Sequence, residues 1–135
     1  MALTACRTLE TVNPTEVVAV LAGAAGTIYE GAIVKIETDG YAEAADGAAL
    51  SVNMGIAKVA VVCAGSHAEY VEIETGRFWM PHAGAAQTDV GTLAWAVDDE
   101  AIAHAAQNAT DVPLGLVVGF KTGYLLVDTR IKALS

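Results

Sequence analysis

The feature that most constrains this chain is a succession of short apolar segments cut at close intervals by turn glycines. Thr27 to Val34 gives way to Asp39-Gly40-Tyr41 and then to Gly55-Ile56-Ala57. Val71 to Phe78, Gln87 to Gly91 and Leu93 to Asp99 continue in the same style. Segments this short cannot supply the long 3.6-residue periodicity of a helical bundle, whereas turns at roughly 8–12-residue spacing are the mark of all-β domains. Asp39-Gly40 and Asp46-Gly47 are turn dipeptides, because glycine accepts the positive φ that tight turns require. The expectation is an all-β, small single-domain β-sandwich or barrel, jelly-roll-like or β-tulip-like, with a surface rather than a pocket as its working part.

Within that frame the alternation assigns faces. Ala32, Val34 and Ile36 alternate with Ile33, Lys35 and Glu37, which predicts a strand with one wet face. Ile56 to Cys63 is nearly continuous in apolar character and predicts a strand buried on both faces. Val71 and Ile73 oppose Tyr70, Glu72 and Glu74; Phe78 and Met80 oppose Arg77 and Trp79, and Pro81 ends the strand. Leu93, Trp95 and Val97 alternate with Ala94 and Ala96, which places Trp95 in the core. Leu116 to Phe120 and Tyr124 to Val127 predict a closing hairpin through Lys121-Thr122-Gly123. The Ala-rich stretch Glu100 to Gln107 offers one or two helical turns.

Residues 1–27 read as an N-terminal arm, set before a β-rich domain over 28–135. The arm has no aromatic residue. Asn13-Pro14-Thr15-Glu16 carries the cap, first-turn proline and closing glutamate of a helix start, but Val17, Val18 and Val20 are β-branched and favour an extended strand.

Composition then limits partners. The 135 residues are 54% apolar, and acidic residues outnumber basic ones 16 to 7, for a net charge of −9. Such a surface repels phosphate backbones, so no nucleic acid is expected. No stretch approaches the ~18 apolar residues of a membrane helix, so no membrane is expected either. No basic run leads into a long apolar stretch near Arg7, so no secretory leader is expected. So apolar a chain is expected to bury surface against other copies of itself. Cys6 and Cys63 sit in unlike surroundings, which points to free thiols and a reducing compartment.

No catalytic, cofactor or metal residues are assigned. Cys63, His67 and Glu69 lack the second ligand pair of a structural zinc site. Ser51, Ser66 and Ser135 lie outside any Gly-x-Ser-x-Gly elbow. Gly23-Ala24-Ala25-Gly26-Thr27 lacks the lysine of a phosphate loop. Asp98-Asp99-Glu100 reads as a turn in which an aspartate accepts backbone N–H bonds, rather than as a calcium loop.

The ordered elements resemble those of the small head-decoration, or capsid cement, proteins of tailed bacteriophages and prophages, over about residues 25–128. They are Ile28, Tyr29, Gly31 and Val34; Gly40-Tyr41; Gly55-Ile56-Ala57; Val71, Gly76 and Phe78; Asp89-Val90-Gly91; Ala96-Val97-Asp98-Asp99; and Gly115 with Val117. The resemblance implies a non-enzymatic virion protein on the outer capsid surface, made in the host cytoplasm, that fastens neighbouring major capsid protein subunits. It also implies dimers or trimers of the chain. Arg7, Leu9, Val17, Val18, Val20 and Leu21 are the expected interface, with the four last residues as anchors for strand addition and the arm separable from the body. The competing reading is a carbohydrate- or receptor-binding β-sandwich, for which Trp79 and Tyr41 would form an aromatic platform.

Overall fold

The computed structural model describes residues 2–47, 52–105 and 111–133. In chain order its strands are β1 (Thr11–Leu21), β2 (Gly26–Ile28), β3 (Ile33–Ile36), β4 (Ala42–Ala44), β5 (Val52–Ala57) and β6 (Val61–Cys63). They continue with β7 (Tyr70–Pro81), β8 (Leu93–Ala96), β9 (Ile102–Ala103), β10 (Gly115–Lys121) and β11 (Tyr124–Asp128), with a 3₁₀ turn at Gln87–Asp89. The fold is all-β. One sheet runs β4-β3-β5-β7-β11-β10-β8-β9 and curls into a half-barrel, with β1 also paired to β7 and a separate β2–β6 pair. The named pairs are antiparallel. No helix among the described residues is long and apolar enough to cross a membrane.

Strand β7 organises the molecule. Its alternation is regular, yet the covered face changes along its length. Val71 and Ile73 enter one cluster with Ile28, Val34, Ala57 and Cys63. Phe78 and Met80 enter another with Ile33, Ile56, Leu114, Val117, Leu125 and Val127. Neighbours on β3 (Ile33, Val34) and on β5 (Ile56, Ala57) divide between the same two clusters, so apolar packing lies on both faces of the sheet.

That two-sided packing corrects three expectations. Strand β3 has no wet face: Ile33, Val34 and Lys35 are all buried, and Lys35 sends its ammonium to Asp46 (2.7 Å) and Glu37 (2.5 Å). The apolar run from Ile56 to Cys63 is two strands, broken at Lys58–Ala60 where the chain leaves β7 to pair β6 with β2, and Val62 is 73% exposed. In β8 the alanines face inward and Trp95 is half-buried on the other side, because only Ala94 and Ala96 are small enough to lie against the packed cluster.

Other expectations hold. The closing hairpin forms, β10 pairing β11 with Lys121 opposite Tyr124. The turns at Gly40 and Gly47 have positive φ. Asp98 Oδ1 accepts the Glu100 and Ala101 N–H groups at 2.8 and 2.9 Å, closing the acidic turn. The helical turns expected from Glu100 are replaced through residue 105 by the short strand β9; the end of that stretch at Gln107 lies outside the described residues, as do Ser51 and Ser135.

Candidate interface

Residues Thr11 to Leu21 are a strand, not a helix. Valines at 12, 17, 18 and 20 suit the pleat, and β7 supplies partners from Tyr70 opposite Leu21 to Phe78 opposite Thr11. Asn13, Pro14 and Thr15 fall in a break of register between Val12 and Glu16, where a proline costs no ladder bond. Beyond it, Val17 to Leu21 is five residues without charge or proline. Among the described residues β7 is the only strand paired with β1, so its other edge presents backbone donors and acceptors outward.

The six expected interface residues divide into two groups. Val17 and Val18 are each 41% exposed on this edge strand, with Val20 and Leu21 half-buried beside them. Val18 and Val20 share the face of Ile73 and Val71, while Val17 and Leu21 share the face of Glu74 and Tyr70. Arg7 and Leu9 are instead committed to the body. The Arg7 N–H donates to the Glu30 carbonyl and its Nε to the Gly31 carbonyl, both at 2.9 Å, and burial pushes its pKa down. Leu9 packs against the cluster around Phe78.

The arm is therefore held to the body at points from Leu3 to Leu21. Leu3 N–H donates to Asp99 Oδ1 at 2.8 Å, and Trp79 N–H donates to the Glu10 carbonyl at 2.9 Å. Leu3 and Val20 pack on the second cluster. Strand β1 of the arm and the body share one sheet.

Ionisable groups near the core are paired locally. Burial pulls the Lys35 pKa down, but the bonds to Asp46 and Glu37 outweigh it and leave it raised. Burial raises the Asp99 carboxyl against the opposing bond from Leu3. Lys132 reaches from the last described segment to the carbonyls of Leu114 (2.6 Å) and Asn53 (2.8 Å), and burial brings its pKa down to about 8.

Glu69 and His67 each have a partner of their own. The Cys63 thiol is buried and free, Glu69 accepts the Ala64 N–H, and His67 stacks on Tyr41 with ring centroids 3.9 Å apart. Topology also makes a constellation that the sequence does not announce: His82 lies edge-on to His104 (4.8 Å), and His104 Nε2 is 3.4 Å from Asp89 Oδ1. The β7–β8 connection supplies His82 and Asp89 and the segment after β9 supplies His104, so no spacing signal could have joined His104 to the other two.

Trp79 and Tyr41 do not form one platform. Tyr41 packs beside Gly23, just past the Leu21–Tyr70 pair, while Trp79 lies nine positions further along β7. At ~3.3 Å per strand residue the two ends are about 30 Å apart. Compared with known protein families, curated proteins and solved structures, the chain matches none.

Proposed function

We propose that this chain is a structural virion protein that binds the outer surface of an assembled tailed-phage capsid and stabilises contacts between major capsid protein subunits. The observation that carries the reading is the open edge of β1. Strand edges are ordinarily blunted by charge, proline or cover; Val17 to Leu21 carries neither charge nor proline, and among the described residues no strand pairs with its outer edge. Such an edge takes up an extended segment of a partner through backbone hydrogen bonds, with Val17 and Val18 as side-chain anchors. The order of motifs over residues 25–128 supports the capsid as the source of that segment. Repetition over a closed shell raises a modest affinity per contact whenever one copy bridges two subunits.

The test is co-sedimentation with expanded shells, using Val17→Lys to place a charge on the edge. Val17 lies opposite Glu74, so the new ammonium has a cross-strand partner and the fold is retained. Loss of shell binding with unchanged circular dichroism supports the reading. Full binding by the folded variant removes β1 from it, and absence of wild-type binding removes the capsid.

A further inference from the structure

We propose that the groove between the Arg7–Glu10 segment and the outer face of β7, β11 and β10 binds a glycan, one pyranose ring stacking on Trp79. The groove has a volume of about 380 Å³ and is walled by Leu9, Glu10, Trp79, Pro81, Lys121 and Tyr124. That volume lies within the roughly 300–1,000 Å³ of small-ligand clefts. The inference is independent of the capsid reading and concerns a different part of the surface from the β1 edge.

The sheet builds the platform. Trp79 pairs with Leu126 and Pro81 with Tyr124; Gly119 and Lys121 continue those two rows on β10. All six therefore share one face, opposite Phe78 and Met80. Gly119 has no side chain, and a Cβ there would lie 3.6 Å from Trp79 Cη2, so the indole extends across β11 toward β10. The aromatic surface lies along the sheet, with Trp79 half-buried there.

Its polar edge is matched to hydroxyls. Lys121 Nζ stands 4.5 Å from the Trp79 ring centre and 5.2 Å from that of Tyr124, and bonds Glu10 Oε1 at 2.8 Å. An ammonium only donates and a carboxylate only accepts, so the pair reads both sides of a sugar hydroxyl. Both side chains are exposed, Lys121 at 42% and Glu10 at 66%. An ion pair and a cation–π contact in such a setting are weak, so a ring can displace the ammonium from the indole at little cost. The apolar C–H face of a pyranose then replaces it, with Lys121 and Glu10 moved to the rim. A basic peptide fits less well, because Lys121 and Arg7 oppose a single groove carboxylate.

The experiment is a two-dimensional amide NMR titration of the intact protein with three separate probes: chitohexaose, maltohexaose and oligogalacturonate. Saturable shifts of the Trp79 indole N–H and of the Lys121 and Tyr124 amides, with Kd from about 10 µM to 1 mM, are expected for at least one probe. Trp79→Ala weakens that binding roughly tenfold or more. Lys121→Met, which leaves the indole in place, weakens it less for a neutral sugar and more for the uronate. Glu10→Gln, at an exposed position, supplies a variant whose folding is not at issue and weakens binding of a neutral sugar. No saturable shift with any probe up to about 10 mM, or affinity unchanged in folded Trp79→Ala, overturns the proposal.

Discussion

Replacing Gly31 by alanine tests how tightly the N-terminal segment is held, and Gly40 supplies the control. Both glycines have positive φ, 84° at Gly31 and 87° at Gly40. An alanine at either position bears the left-handed backbone penalty of about 1–2 kcal/mol. They differ in what a methyl group meets. At Gly40 nothing lies within 4 Å, whereas at Gly31 the new Cβ falls 2.4 Å from both the Arg7 carbonyl oxygen and its Cγ. Backbone cannot yield as a side-chain tip can, so the Arg7 segment must move, adding an overpacking cost of about 1–3 kcal/mol. The displaced segment also loses the bonds from Arg7 to Glu30 and Gly31, about 1 kcal/mol each. Gly40→Ala is therefore expected to cost about 1–2 kcal/mol and Gly31→Ala about 4–7 kcal/mol. For a domain of this size that is a drop in Tm of roughly 5 °C against roughly 12–25 °C. Urea unfolding followed by Trp fluorescence measures both. Equal losses in the two variants would refute the docking of Arg7 on Gly31.

Two further outcomes follow from the same contacts. Deleting residues 1–21 strips a whole strand from β7 and unpacks Leu3, Leu9 and Val20, so the truncated chain is expected to lose cooperative thermal unfolding rather than persist as a folded body. A sharp calorimetric transition from that fragment contradicts this. Lys132, with a folded pKa near 8, binds fewer protons folded than unfolded between about pH 8 and 10.4. Stability from this group therefore rises with pH across that window, and Lys132→Met removes the slope; an identical slope in the variant, read from urea midpoints, counts against the assignment.

Much of the fold was legible because strand alternation is a local property. The β10–β11 hairpin, the acidic turn at Asp98 and the two halves of β7 all follow from residue order. Which side of an alternation faces the core was less legible, because that depends on what packs there. Lys35 and Glu37 look like a solvent face, yet Lys35 is buried once Asp46 and Glu37 neutralise it. At β8 bulk misleads: the small Ala94 and Ala96 line the close-packed side, and the large Trp95 does not. The open edge of β1 is a question of pairing between segments far apart in the chain, which residue order alone does not state. The groove at Trp79 joins residues from three stretches of chain, so only the indole itself was visible as a candidate.

The pairing of β1 with β7 has a mechanical side. Eight residue pairs, from Thr11–Phe78 to Leu21–Tyr70, lie along one line between the two strands. Tension applied along β1 loads these rungs together, in shear, instead of opening them one after another as a peel would. From β7 the load passes to β5 and to β11, and so into the packing on both faces of the sheet. A segment gripping the free edge of β1 would thus pull on the whole body at once, and the rupture force is set by many bonds failing simultaneously rather than by the weakest.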